Sequence, residues 1–118
     1  MINAFLIFLG GGAGALLRYL ILISSNITNV LNILMINLIG CFLMGAAFAY
    51  LSAKSPIYTL ISIGFLGSFT TMSAFTQTSL EMILDSKYFN AFFYGILMLS
   101  MCVIANIIGY LLMKREMM

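Results

Sequence analysis

The sequence predicts an all-α membrane protein with four transmembrane helices, and its composition and apolar pattern support that fold class. The chain has 118 residues, of which 64% are hydrophobic and only 7% are charged, a balance far from that of a soluble domain. The apolar residues form four runs, each long enough to cross about 30 Å of hydrocarbon. We therefore expect one domain over residues 1–118, with spans at about 5–23, 31–51, 57–84 and 89–113.

The polar composition argues against an enzyme. The chain has no histidine and only three acidic residues, which excludes a histidine-dependent catalytic site and disfavours a carboxylate metal cage. A net charge of +2 is too small to predict a nucleic-acid partner. Cys41 and Cys102 lie inside apolar runs, where they behave as small hydrophobes and do not predict a disulfide.

The first span carries a run of small residues at positions 10–15. A cleaved signal peptide would begin with basic residues, but the first basic residue is Arg18. The run also resembles a loose dinucleotide-binding fingerprint, although it lacks the strand and the acidic residue which that motif needs. Gly10 and Gly14 are four residues apart, and this spacing favours the close approach of another helix.

Arg18 is the only basic residue inside a span. A charge at that depth needs a partner or a route to the interface. It either extends to the headgroups beside Tyr19 or anchors the fold by contacting helix ends.

The second span places Asn37 near its middle, followed by Gly40 and Gly45. An amide in hydrocarbon seeks a hydrogen-bond partner. Asn37 therefore either joins two helices or lines a polar path.

The third span, residues 57–84, is longer than the roughly 20 residues that a straight helix needs. It is apolar as far as Phe69 and then carries polar side chains at Thr70, Thr71, Ser73, Thr76, Gln77, Thr78 and Ser79. Gly64 and Gly67 before the paired threonines predict a break in the helix. The alternative is an unbroken helix whose hydroxyls bond back to its own carbonyls.

The basic residues give only a weak orientation signal. Four spans put both termini on one face, which then carries Lys54, Lys114 and Arg115, against Lys87 and any contribution from Arg18 on the other. The protein is therefore expected to insert both ways. Since four helices do not easily enclose a pore, we expect two copies to share polar surfaces in a homodimer.

Three motifs, one in each of the first three spans, resemble those of the Fluc/CrcB family of small fluoride channels, and the similarity covers nearly the whole chain. The third span reads GFLGSFTTMSAF, which is similar to the family's GFxGgfTTFStF. The second span matches NxxGxFxxG at Asn37, Gly40, Phe42 and Gly45. The first span matches GGxxGAxxRY at Gly11, Gly12, Gly14, Ala15, Arg18 and Tyr19.

The resemblance implies an antiparallel, dual-topology homodimer in the lipid bilayer, with a broken third helix and two fluoride pores. The pore residues it implies are Asn37, Thr71, Ser73, Phe75 and Tyr94, with Met72 where the family has its first pore phenylalanine. It also implies a structural Na⁺ on the dimer axis, bound by the backbone carbonyls of Gly67 and Thr70. Arg18, Gly14 and Gly40 are expected to be structural.

The function implied is passive, selective movement of fluoride out of the cytoplasm through the inner (plasma) membrane, which confers fluoride resistance. One alternative is a small multidrug-resistance-like transporter, but such proteins depend on a glutamate in the first span, and this first span has no acid. A second alternative is a structural membrane subunit, which would conduct no ion.

Overall fold

The structure, a computed structural model, describes all 118 residues, and every regular element in it is helical. Its four membrane-length segments are Ile2–Ser24 (α1), Asn29–Tyr50 (α2), the interrupted Pro56–Leu84, and Tyr88–Met117, which is α5 below. All four are long and apolar enough to cross a membrane, so the predicted fold class is confirmed. The last helix continues past the predicted residue 113 through Lys114 and Arg115, cations that suit a helix C-terminus.

The third segment consists of two helices separated by an extended dipeptide. Its first half, α3 (residues 56–69), contains an α-helical turn, a π-helical stretch at Thr59–Leu66 and a final turn at Gly67–Phe69. Thr70 and Thr71 then have ψ angles of 153° and 114°, which end the helix. The second half is α4, Met72–Leu84. The predicted break is thus confirmed, and it lies at the paired threonines.

Helix α3 begins at a polar cap. Ser55 Oγ accepts a hydrogen bond from the Tyr58 amide at 3.1 Å, and Pro56 occupies the first helical position, where its missing N–H costs nothing. The cap therefore fixes where the third span begins.

Helices α1 and α3 pack closely because glycines line α1 at their interface. A Cβ atom added at Gly10 would collide with the carbonyl oxygen of Leu60, and one at Gly14 with that of Phe65. Ser68 Oγ also lies 2.8 Å from the Gly11 carbonyl oxygen, to which it donates. The two helices run parallel, because successive spans cross the membrane in opposite directions and the first and third therefore share one direction.

Helices α2 and α5 form a second parallel pair, also in close contact. Cβ atoms at Gly45 and Gly109 would collide with the carbonyl oxygens of Asn106 and Phe42, respectively. Asn106 Nδ2 donates to the Cys41 carbonyl oxygen at 3.0 Å. Small residues at helix crossings let backbones approach when the lipid offers no hydrophobic driving force.

The two pairs meet at the break in the third span. A Cβ atom at Gly40 of α2 would collide with the Thr70 side chain, so only glycine admits the break at this point. A buried apolar cluster of α2 and α5 residues, comprising Ile33, Leu34, Tyr94 and Met98, packs against α4 nearby. The fold therefore places one irregular backbone segment between all four spans.

Candidate functional site

Asn37 of α2 holds the broken segment in place. Its Nδ2 group donates to the Thr71 carbonyl oxygen at 3.1 Å, and the Thr71 amide donates to Asn37 Oδ1 at 2.7 Å. Both residues are buried. One side chain thereby satisfies both backbone groups of an extended residue, which would be costly to leave unpaired in hydrocarbon.

Asn37 keeps one amide hydrogen that is only weakly used. A side-chain amide nitrogen carries two hydrogens, and one of them bonds to Thr71. The same nitrogen lies 3.5 Å from Met98 Sδ, and a thioether is a weak acceptor. Because hydrogen bonds to ions are stronger than neutral ones, an anion would be a better acceptor than this sulfur. Asn37 can thus hold the backbone and still donate to an anion.

Helix α4 begins at the break with hydroxyl groups around its N-terminus. Thr71 Oγ1 accepts from the Ala74 amide at 3.1 Å and lies 3.1 Å from Ser73 Oγ. Only one of the two hydroxyl hydrogens is needed between Thr71 and Ser73, which leaves the other free to donate. The N-terminus of α4, a helix of 13 residues, also favours negative charge through its macrodipole.

Two carbonyl oxygens at the end of α3 lack their usual helical donors. The amides that Gly67 and Thr70 would meet in an unbroken helix belong to Thr71 and Ala74, and both donate to side-chain oxygens instead. Arg18 Nη1 donates to the Thr70 carbonyl oxygen at 3.2 Å, so its guanidinium lies against the helix end. Gly67 is exposed on the surface of the chain.

We call the first of two clefts at the break the Arg18 cleft. Its volume is about 400 Å³, and it is lined by Ala15, Arg18, Tyr19, Leu22, Thr71, Ser73, Ala74 and Gln77. The lining combines one guanidinium with the three hydroxyls of Tyr19, Thr71 and Ser73 and contains no carboxylate. A cleft lined by charge of one sign concentrates counter-ions, so this one attracts anions.

The second cleft, the Asn37 cleft, meets the first at Thr71, which lines both. Its volume is about 190 Å³, and its lining residues are Asn37, Cys41, Thr70, Thr71, Met72, Met98, Leu99 and Cys102. It holds no charged residue, and its polar side chains are those of Asn37, Thr70, Thr71 and the two cysteines. The break therefore separates a charged cleft from an uncharged one.

The structure brings some predicted pore residues together and keeps others apart. Phe75 and Tyr94 are in contact, with ring centroids 5.1 Å apart, and Tyr94 shares the buried cluster with Met98, the neighbour of Asn37. Met72 is 61% exposed and lines the Asn37 cleft, whereas Phe75 lines a separate cavity with Tyr88 and Phe92. A single chain therefore does not place Met72 and Phe75 in one cavity.

Met98 lies at the site, although it was not among the predicted pore residues. It is 4% exposed and lies beside the Asn37 amide. It lies four residues after Tyr94, and residues four apart share a helix face. Ser68, which ties α3 to α1, was likewise not predicted.

Comparison with known proteins assigns the chain to a family. A family profile described as "CrcB-like protein, Camphor Resistance (CrcB)" matches residues 5–110. Three relatives, each named "Fluoride-specific ion channel FluC", come from Hydrogenobaculum sp., Shewanella frigidimarina and Gloeothece citriformis. They are 38%, 37% and 32% identical to this chain, over 92%, 92% and 98% of its length and 89%, 94% and 99% of theirs. This chain is therefore a member of the CrcB family.

Proposed function

We propose that the protein is a fluoride-selective channel that carries the anion passively through the plasma membrane and so confers fluoride resistance. The name shared by the relatives supports this function. The observation that carries it is the Arg18 cleft, where a guanidinium, hydroxyls and a helix N-terminus converge without any carboxylate.

Fluoride is small and strongly hydrated, so a pore has to replace its water with hydrogen-bond donors. The break supplies donors of two kinds, the weakly used amide hydrogen of Asn37 and the spare hydroxyl hydrogen of the Thr71 and Ser73 pair. The positive edge of the Phe75 ring is a third group that an anion can approach. Such a path rejects chloride by its larger size.

The direction of transport follows from acid chemistry and the membrane potential. Hydrogen fluoride crosses lipid uncharged and ionises in a near-neutral cytoplasm, where the anion is trapped. A negative-inside potential favours the exit of one anion by about 2.3 kcal/mol per 100 mV. Passive conduction therefore suffices, and the proposal includes no catalytic step and no coupled ion.

A second copy of the chain is part of the proposal, with two pores in an antiparallel dimer. Gly67 is exposed at the middle of a membrane-length segment, and its carbonyl has lost its helical donor. Irregular backbone at membrane depth has to be covered by protein or lie along a water-filled cavity. A partner chain that covers this face meets that need. Light scattering in detergent should give the mass of two chains, and the mass of one chain would contradict the dimer.

The carbonyl oxygens of Gly67 and Thr70 suit a hard cation such as Na⁺, which prefers oxygen ligands. Gly67 offers an unused carbonyl, while Thr70 keeps one lone pair beside its bond from Arg18. Na⁺ bound there would neutralise these oxygens and join two copies of the chain. Replacing Na⁺ by a large organic cation should lower the thermal stability of the detergent-solubilised protein, and an unchanged melting temperature would contradict the site.

The transport activity is tested by efflux from liposomes that contain the purified protein. With a potassium ionophore present, a fluoride electrode should record rapid fluoride release, while a chloride electrode on matched vesicles records none. Reconstitution is verified by recovering the protein from the vesicles. Trapped fluoride in such vesicles, or equal release of chloride, would overturn the proposal.

A further inference from the structure

The Asn37 cleft collects sulfur atoms as well as the pore amide. Cys41 of α2 and Cys102 of α5 both line it, together with the thioethers of Met72 and Met98. Neither cysteine is in a disulfide. No lysine or arginine lines the cleft, so no positively charged side chain of the protein lies against these sulfurs.

Two of these sulfurs are close neighbours, and a third faces the same cleft. The Cys102 Sγ atom lies 3.8 Å from Met98 Sδ, and Cys41 lines the same cleft from the neighbouring helix α2. The two cysteines are on different helices, and α2 and α5 are held together by glycine contacts and by the bond from Asn106 to the Cys41 carbonyl. The sulfurs are therefore positioned by a closely packed helix pair.

We propose that the Asn37 cleft is a binding site for one soft monovalent metal ion of the Ag(I) or Cu(I) class. Thiolate and thioether ligands select soft ions, and the cleft offers Cys41 and Cys102 as thiol ligands with Met98 as a thioether. When the ion binds, a metal–sulfur bond replaces an S–H bond of one cysteine, and the proton leaves to water. The ion and its thiolate then carry no net charge, which suits an uncharged cleft at membrane depth.

The bound ion blocks the fluoride path. Met98 Sδ is the atom next to the spare Asn37 hydrogen, at 3.5 Å from the amide nitrogen. An ion held by Met98 and the two thiols occupies the space in which an anion would reach that hydrogen. This part of the inference rests on the proposed function, whereas metal binding does not.

The cleft can be reached from outside the chain. Met72 lines it and is 61% exposed. A small ion can therefore enter without unfolding the helix pair.

Silver is the probe of choice because it needs no reductant. The purified protein is treated with silver nitrate in chloride-free detergent buffer, desalted, and analysed for metal by mass spectrometry. We expect about one silver ion per chain, bound through sulfur ligands. The two thiols, the only ones in the chain, should at the same time lose their reactivity towards a maleimide.

The ligands are tested one at a time. Cys41→Ala and Cys102→Ala should each weaken silver binding by more than about tenfold. Even the loss of a residue that only supports a metal ligand through a hydrogen bond weakens metal binding by about that factor. Met98→Leu should weaken it less, while Met101→Leu on the same helix, outside the cleft, should leave it unchanged. Each variant is first checked for a single symmetric peak in size-exclusion chromatography. Wild-type silver content in both cysteine variants would overturn the site.

Flux measurements test the block separately. Silver at the concentration that fills the site should stop fluoride release from liposomes, and a thiol chelator should restore it. Silver that binds without slowing release would overturn the placement of the ion in the fluoride path. If the untreated protein releases no fluoride at all, the proposed function fails, and the silver content of the variants still decides the metal site.

Discussion

The two halves of the third span are held by different kinds of contact. Helix α3 lies against α1 with its backbone in close contact, through Gly10 and Gly14. Helix α4 is held through side chains, by the Thr71 cap, by Asn37 and by the Phe75 and Tyr94 rings. The first half therefore fixes the position of the break, whereas the second half presents hydrogen-bond donors. Substitutions in the two halves should therefore fail in different ways.

The largest loss of folded protein is expected from Gly14→Val, which disrupts the contact between α1 and α3. Overpacking typically costs 1–3 kcal/mol and occasionally more, and here the colliding atom is the backbone carbonyl oxygen of Phe65. We expect a loss of about 3 kcal/mol or more and little monodisperse protein in size-exclusion chromatography.

Gly12→Ala is the matched control, because a Cβ atom at Gly12 meets nothing within 4 Å. Its unfolding temperature should stay close to that of the wild type, since the exchange of glycine for alanine in a helix is worth about 1 kcal/mol at most. Equal damage from both substitutions would refute the backbone contact.

Asn37→Asp should abolish fluoride conduction and leave the α1 and α3 contact intact. A carboxylate cannot donate to an anion, and its charge repels one at about 4 Å by about 4 kcal/mol at an effective dielectric constant of about 20. That energy corresponds to a loss of nearly a thousandfold in the rate of fluoride efflux from liposomes. Asn37→Gln keeps the amide, so its fluoride efflux rate should fall less than that of Asn37→Asp. Equal losses of efflux rate in the two variants would show that the charge is not the cause.

Arg18→Gln should slow fluoride efflux about tenfold at low ionic strength, the lower end of the range for electrostatic concentration of an ion. The glutamine can still donate a hydrogen bond to Thr70, so the loss reports the missing charge. The rates of the variant and the wild type should converge at high concentrations of an impermeant salt, because salt screens the charge. Arg18→Lys retains the charge, and a loss as large as that of Arg18→Gln would contradict the electrostatic role.

The smallest effect is expected from Thr71→Val, which removes the cap of α4 but keeps the shape of the side chain. Loss of an N-cap costs about 1 kcal/mol. The melting temperature should therefore fall by a few degrees, and Thr71→Ser, which keeps the hydroxyl, should not lower it. A valine variant as stable as the wild type would mean that the Ala74 amide finds another acceptor.

The sequence was sufficient for the spans and for the break because both depend on local chemistry. Apolar run length predicts a membrane helix, and Gly64, Gly67 and the paired threonines mark where the helix is weakest. The spacing of Gly10 and Gly14 predicted a close approach of helices, and in the structure α3 lies on those glycines.

The faces on which α2 and α5 meet were not predictable in the same way. A helix that is apolar all round carries no pattern to show which side faces its neighbour. The contact of Met98 with Asn37 and the placement of Cys41 and Cys102 in one cleft depend on that rotation. The two clefts likewise depend on contacts between segments that are far apart in the chain.

The π-helical stretch at Thr59–Leu66 sets the register of the break. Its backbone bonds join residues five apart, so each turn holds more residues than an α-helical turn. Removing one residue there would shift everything that follows along and around the helix axis. Ser68 would leave Gly11, and the Thr70 carbonyl would face away from Arg18. The length of this stretch is therefore as strictly constrained as the identity of any residue that lines the clefts.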